Sequence, residues 1–368
     1  MLTFLSVALL IYGSMHAYAL GKVWLSVPHS LALGLGLTLA GIALTFSPLL
    51  VWFLERQSWH RATLAAAWVS YTWMGYLFLF LCIGLTFDFG HALATLLDVR
   101  WPVGAAMALR IVGLLALVLL GFGFVEARQI KTEEVHITTP KLASGRVTIA
   151  QISDLHLGIM LGEGFLDRVI ARLRALRPDI VVATGDIVDG QGDDLAALAR
   201  HFKSYTPPLG AYAVTGNHET YAGLAHSLQF LRDAGFTVLR GESVVAGGLV
   251  LTGVDDPSAT MSGHQARLDT GRALDPITSH DFIVLLKHQP VVDDATRFDL
   301  QLSGHIHGGQ IFPFVYLTWL SYRIHAGLTE LADGRRLYVS RGTGTWGPPI
   351  RLFAPPEITL ITITSANK

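Results

Sequence analysis

The sequence predicts an N-terminal bundle of about four transmembrane helices followed by a soluble α/β domain. Three observations lead there. Charge is nearly absent from residues 1–130, where Lys22, Glu55, Arg56, Arg61, Asp88, Asp98, Arg100, Arg110, Glu126 and Arg128 are ten of the chain's 27 basic and 28 acidic side chains. The same stretch holds four apolar runs of about 20 residues, the length that carries a helix across a bilayer core. From Arg146 onward, short β-rich runs alternate with segments of helical period, the pattern of an α/β domain.

The four runs are residues 2–20, 31–54, 62–87 and 103–125. A cleaved signal peptide is disfavoured for the first, because it has no basic leading segment and further spans follow. Pro48 is expected to kink or end the second. Arg110 falls about two turns inside the fourth and is expected to snorkel, having no acidic partner in the other spans. An even number of spans leaves both termini on one side, together with Arg56, Arg61, Arg128 and Lys131, while Lys22 and Arg100 face the other. That excess of basic residues points to a cytoplasmic C-terminal domain. Residues 1–130 are thus expected to form a multi-span transmembrane domain, 131–145 a polar linker, and 146–365 the soluble domain.

In the soluble part, "RVTIAQIS", "DIVVATGD", "GAYAVTGNHE", "GLVLTGVDD", "FIVLLKHQP", "LQLSGHIHG", "RRLYVSRG" and "EITLITIT" read as strands. "GEGFLDRVIARLRALRP", "DDLAALARHFKSY" and "LAHSLQFLRDAG" read as helices. The single cysteine, Cys82, lies in an apolar run; it excludes an intramolecular disulfide and a cysteine-based zinc cluster. A net charge of -1 gives no sign of nucleic-acid binding.

The polar residues of interest gather where strands end, the place where ligands sit in layered α/β folds. They are Asp154 and His156 in "SDLHLG", Asp186 and Asp189 in "GDIVD", Asn217, His218 and Glu219 in "GNHE", His288 in "LKHQP", and His305 and His307 in "GHIHGGQ". In extended backbone His305 and His307 would point to one side, and the glycines around them would let a ligand approach. Each residue alone has an ordinary explanation as a cap, a turn former or a buried histidine. Together they offer oxygen and imidazole ligands in numbers that fit two ions.

Over about residues 146–363 this order of blocks closely resembles the calcineurin-like metallophosphoesterases, whose pattern is D-x-H, G-D-x-x-D, G-N-H-D/E, a lone H, and G-H-x-H. The resemblance implies a four-layer sandwich of two mixed β-sheets flanked by helices. It implies that Asp154, His156 and His307 hold one metal ion, that Asn217, His288 and His305 hold a second, and that Asp186 bridges both. It sets His218 beside the pair as a catalytic residue, with Asp189 and the variant carboxylate Glu219 as residues that orient the site. The stretches "GGQI", "VSRGTGT" and "PPEITLITI" behind a multi-span N-terminus look like the membrane-attached branch. That branch includes transmembrane proteins with such a domain and UDP-diacylglucosamine pyrophosphatase-like relatives.

Elementary chemistry supports that implication. Two divalent ions against the charges of Asp154 and Asp186 leave a surplus of about +2, which attracts a phosphate ester and stabilises its transition state. A water shared by two such ions deprotonates near neutral pH and can attack phosphorus. His218 is then suited to protonate the departing oxygen or to stabilise the phosphoryl oxygens. Imidazole and carboxylate ligands without thiolate suit manganese first, with iron, zinc, cobalt or nickel as alternatives. Arg341 and Arg351 could clamp a substrate phosphate or brace loops. The aromatic segment "FPFVYLTWLSYRIHAG" could be buried, or could be an exposed flap meeting lipid. The expected activity is hydrolysis of a phosphomonoester, phosphodiester or pyrophosphate, a lipid-linked one included. The competing readings are a metal-binding membrane scaffold or receptor without catalysis, and a transporter carrying a phosphatase domain.

Overall fold

The computed structural model describes residues 2–190, 195–275, 277–293 and 296–366. It divides into a helical unit, which runs to Val125 and also takes in Gly347–Ile350, and an α/β unit formed by Glu126–Trp346 and the chain from Arg351 onward.

In the helical unit all four apolar runs are helical. They form α1 (Leu2–Ser26), α2 (Leu31–Thr45) with α3 (Ser47–Arg56), α4 (His60–Leu96) and α5 (Ala105–Glu126). Two of these, α4 and α5, are long and apolar enough to cross a membrane, and a third span results if the bent pair α2 and α3 counts as one. The expectation of four was therefore approximate. The bend of 46° falls at Phe46, with Pro48 in the first turn of α3, where a missing N–H costs nothing. The unit is more polar inside than its sequence suggests. Buried His16 accepts from Trp73 Nε1 (2.8 Å) and has Tyr12 O and Thr45 Oγ1 at 2.9 and 3.1 Å from Nδ1, which links α1, α2 and α4. Asp88 pairs with Lys22 and accepts from the Tyr18 hydroxyl at 2.8 Å.

The α/β unit is built on two six-stranded sheets. Its elements are β1 (Lys131–Thr139), β2 (Arg146–Ile152), α6 (Glu163–Leu176), β3 (Ile180–Thr184), α7 (Leu195–Phe202), β4 (Ala211–Val214), α8 (Asn217–Tyr221), α9 (Leu224–Asp233), β5 (Thr237–Val238), β6 (Glu242–Ala246), β7 (Leu249–Gly253), α10 (Ser258–Met261), α11 (Gly271–Leu274), β8 (Phe282–Leu286), β9 (Leu300–Ser303), α12 (Val315–Ser321), β10 (Gly327–Glu330), β11 (Arg336–Val339) and β12 (Glu357–Ser365). One sheet has the order β1-β12-β2-β3-β4-β5 and the other β10-β11-β9-β8-β7-β6, each mixing parallel and antiparallel pairs. Asp193 and Asp194, read as the start of the second soluble helix, lie outside the described residues.

Strand alternation builds the layers. Along β2 and β3, Val147, Ile149, Ile180 and Val182 point between the sheets, where they meet Leu249, Leu251, Val284, Leu286, Leu300 and Leu302. The intervening Ala150, Ile152, Val181 and Ala183 face outward against α6, α7 and α9. Burial on both faces explains why these strands read as continuous apolar runs. On α6, Phe165, Leu166, Val169, Ile170 and Leu173 form the buried stripe, and truncating Leu173 to Ala there would cost about 2–5 kcal/mol.

Two segments depart from the sequence reading. Residues 131–145, expected as a linker, contain β1, which pairs in parallel with β12 from Lys131↔Glu357 to Thr139↔Ser365. Its alternating burial directs Val135, Ile137 and Thr139 inward, a pattern masked by the charged residues before it. "GAYAVTGNHE" is strand only to Val214; Asn217 already opens α8.

Candidate metal centre

The ends of β2, β3, β4, β8 and β9 bring the motif residues together. The loop after β2 and the loop after β3 are zipped by backbone bonds, Asp154 N to Gly185 O and His156 N to Asp186 O, both 3.0 Å. Glu219, buried at the start of α8, fixes the second loop. Its Oε2 accepts from Asp186 N (2.9 Å) and Gly216 N (2.6 Å), and its Oε1 from Ile187 N (2.7 Å) and Val188 N (3.1 Å). A Cβ on Gly216 would stand 2.1 Å from Asp186 Oδ1, and one on Gly304 2.3 Å from Asp154 Oδ2. Glycine at both positions is therefore a condition for the carboxylates to sit where they do.

Three groups of ligand-type atoms result among the described residues, one of which joins His156 to Asp189 and His218, while the other two hold expected ligands. Asp154, His156 and His307 have such atoms within 4.8 Å of one another, and so do Asp186, His288 and His305. In the first group His307 Nε2 is 3.1 Å from His156 Nε2 and 3.4 Å from Asp154 Oδ1. In the second, His288 Nε2 is 3.0 Å from Asp186 Oδ2 and 3.2 Å from His305 Nδ1. His288 Nδ1 donates to Thr184 O at 2.8 Å, which turns Nε2 toward the group, where Asp186 favours the charged ring as long as no cation replaces its proton. Asp154 is held by His305 N, at 3.0 and 3.2 Å from its two oxygens.

These donors fit divalent ions. Two imidazole nitrogens about 2.1 Å from one ion and near 95° apart would be about 3.1 Å from each other, which is the spacing found. Asn217 Oδ1 is buried without a hydrogen-bond partner, as expected of an amide oxygen meant for a cation. The set contains imidazole, carboxylate and amide groups and no thiolate, a mixture suited to first-row divalent metals.

The expectation that His305 and His307 would serve one place from an extended strand is corrected. Both adopt left-handed backbone, φ 75° and 52°, and their rings belong to different groups. Asp154 (φ 53°), His156 (φ 50°) and Asp186 (φ 53°) are left-handed as well, so five of the seven expected ligands sit in backbone that costs an L residue about 1–2 kcal/mol.

His218 stands at the rim, its ring 4.6 Å from that of His156. Its Nδ1 is bound to Asp189 Oδ1, which leaves Nε2 to face the site. Asp189, whose side chain is 32% exposed, also has an oxygen 3.6 Å from His156 Nδ1. Burial opposes charge on His218, but Asp186 and the bond to Asp189 outweigh it and raise its pKa to about 9. Burial lowers His305 to about 4, with His288 adding to the effect, and burial next to Arg351 holds His307 well below the imidazole range. Both are therefore neutral at pH 7, the form that ligates. Burial, with the like charge of Asp186, raises Asp154. Asp186 itself is held well below the carboxylate range, because His288 and His218 overcome its burial.

Neither arginine offers a substrate clamp. Arg351 is fully buried (0% exposed) and donates to the carbonyls of Gly344, His307, Arg341 and Ala354 at 2.6–3.1 Å. Arg341 pairs with Glu133 and, at 2.7 Å, with Glu357 Oε2, and donates to Pro355 O. Both brace the C-terminal loops. Sequence reading passed over Trp346, half-exposed with its ring 5.6 Å from that of His218. Gln310 grips its backbone through two bonds of 2.9 Å, to Trp346 O and from Trp346 N. The stretches "GGQI" and "TGTWG" were the available signal. The aromatic segment forms α12, which buries none of its residues and leads to Tyr322, whose ring is 5.4 Å from that of His305.

Residues 147–309 match the family of calcineurin-like phosphoesterases. An uncharacterised metallophosphoesterase of Aquifex aeolicus is 42% identical over 252 residues, covering 67% of this chain and 97% of that protein. One from Campylobacter jejuni is 34% identical over 267 residues, 70% of this chain and 71% of that protein. A transmembrane protein with metallophosphoesterase domain from Danio rerio is 33% identical over 267 residues, 68% of this chain and 61% of that protein.

Proposed function

The chain belongs to the calcineurin-like metallophosphoesterases, metal-dependent hydrolases of phosphate esters, and we propose that it is a membrane-anchored member hydrolysing a phosphomonoester, phosphodiester or pyrophosphate. The observation that carries this reading is the pair of ligand groups, Asp154 with His156 and His307, and Asp186 with His288 and His305. In our assignment the first group would hold one ion, His288, His305 and Asn217 would hold the second, and Asp186 would serve both. When bound, two divalent ions supply Lewis-acid charge and a water nucleophile active at neutral pH. Manganese is our first choice for both, with iron, zinc, cobalt and nickel chemically compatible.

The chain's own residues do the rest. Glu219 holds the Asp186 loop in register. Asp189 fixes the His218 ring by its Nδ1, so that Nε2 is free to deliver a proton to the departing oxygen. The excess of Arg56, Arg61, Arg128 and Lys131 over Lys22 and Arg100 supports a multi-pass arrangement with the catalytic unit in the cytoplasm. A lipid-linked substrate is favoured by the exposed Tyr316, Trp319 and Leu320 of α12.

The test is a hydrolysis screen of the manganese-loaded protein against soluble phosphomonoesters, diesters and nucleotide-linked lipids, before and after chelation. Turnover that chelation abolishes and metal restores is expected. Absence of turnover in protein carrying two ions would sink the catalytic reading and leave a scaffold. Protease digestion in sealed inside-out vesicles should cleave the α/β unit; protection would reverse the sidedness.

A further inference from the structure

Outside the metal centre, the α/β unit carries a groove of about 710 Å³ lined by Arg128 and Lys131 from the chain entering β1 and by Arg168 and Arg172 from α6, with no carboxylate among its lining residues. Arg168 and Arg172 are one helical turn apart and share a face of α6. Arg172 Nη2 donates to Ile130 O at 3.1 Å, which ties that face to the incoming chain. Arg168 lies 5.6 Å over the Phe165 ring and donates to Gly164 O at 2.8 Å. Its neighbour Asp167 is 2.7 Å from His201 on another helix. Burial lowers the pKa of Arg168, and the nearby charge of Arg128 lowers it further. Asp167 offsets part of this, and four basic side chains are gathered along one groove.

The groove's place in the chain identifies the anion. Arg128 follows Glu126, the last residue of α5, by two positions, so it lies within about 7 Å of the end of that helix. Where α5 crosses a bilayer, its end meets the layer of headgroup phosphates, and basic pockets at that level bind acidic lipids. We propose that this groove is a binding site for the phosphodiester of an anionic phospholipid headgroup, separate from the candidate metal centre, none of whose residues line it. The inference rests on α5 being a membrane span, as in the function proposed above, and not on the catalytic assignment.

The experiment uses the full chain, metal-loaded and purified in a neutral detergent, titrated calorimetrically with dioctanoyl phosphatidylglycerol, dioctanoyl phosphatidylcholine and inorganic phosphate. The phosphatidylglycerol should bind roughly tenfold or more tightly than either other probe. Lys131→Gln with Arg168→Gln should weaken it by roughly 25-fold, about fivefold per lost basic contact, and Lys131→Arg with Arg168→Lys should restore it. The midpoint of thermal unfolding should be equal in all three proteins, which reports intact folding, and so should hydrolysis of p-nitrophenyl phosphate. Equal binding of the two lipids, or phosphatidylglycerol binding that survives the double glutamine variant, would overturn the proposal. Free phosphate binding as tightly as the lipid with the same dependence on Lys131 and Arg168 would overturn the lipid assignment. A protein that hydrolyses the ester but shows no headgroup preference refutes the groove alone.

Discussion

Glu219→Gln exchanges one carboxylate oxygen for an amide and changes almost no volume, yet it should be among the most damaging substitutions in the α/β unit. Each Glu219 oxygen receives two backbone N–H groups, Oε2 those of Asp186 and Gly216, Oε1 those of Ile187 and Val188. Whichever oxygen becomes the amide nitrogen, two buried donors lose their acceptor and face another donor. At about 1–3 kcal/mol for each orphaned donor, the loss centres near 4 kcal/mol. A domain of this size moves by roughly 2–4 °C per kcal/mol, so the midpoint of thermal unfolding should fall by roughly 8–16 °C. Intrinsic fluorescence of the purified full chain during heating measures this, and elemental analysis of the same samples measures bound metal, which should decrease because the loosened loop carries Asp186. A midpoint within about 2 °C of wild type, with metal content unchanged, would refute the view that this carboxylate organises the site.

Three further outcomes follow from the same geometry. His218→Asn should lower kcat toward a soluble phosphoester by about 10²–10⁴-fold with bound metal retained; loss of the ions would mean its role is structural. Asp186→Ala should weaken both ions at once in a chelator titration, and a variant that keeps two tightly held ions would disprove bridging. Arg351→Lys replaces a planar fork with a single ammonium that cannot serve four carbonyls. It should destabilise the fold by about 2–4 kcal/mol while leaving KM for the ester unchanged, and a raised KM in a stable variant would reinstate the phosphate clamp.

What could be read from the sequence depended on how locally each feature is written. The β2 and β3 cores announce themselves as apolar runs, and the motif residues stand at their ends, so Asp154, His156 and Asp186 could be placed before any coordinates. β1 could not, because Glu133 and Glu134 hide the inward alternation of Val135 and Ile137, and its partner β12 lies more than two hundred residues away. Arg351 looked like a surface cation because nothing local reveals that four carbonyls surround it. His305 and His307 are read from the sequence on the wrong backbone. The two-residue spacing suggested a strand, whereas left-handed turns send the rings to separate groups. The length of α5 was legible from hydropathy alone, but the polar links of His16 and Asp88 join residues far apart in sequence and emerge only once the helices pack.

The left-handed backbone at Asp154, His156, Asp186, His305 and His307 bears on how this protein can change over time. Five such residues at about 1 kcal/mol each approach the whole stability margin of a modest domain, about 5–15 kcal/mol. Glycine at any of them would relax the chain. A laboratory lineage selected for heat resistance alone should therefore erode these positions early, and gain robustness by discarding its chemistry. Screening for turnover in every round is what would keep the strained turns in place.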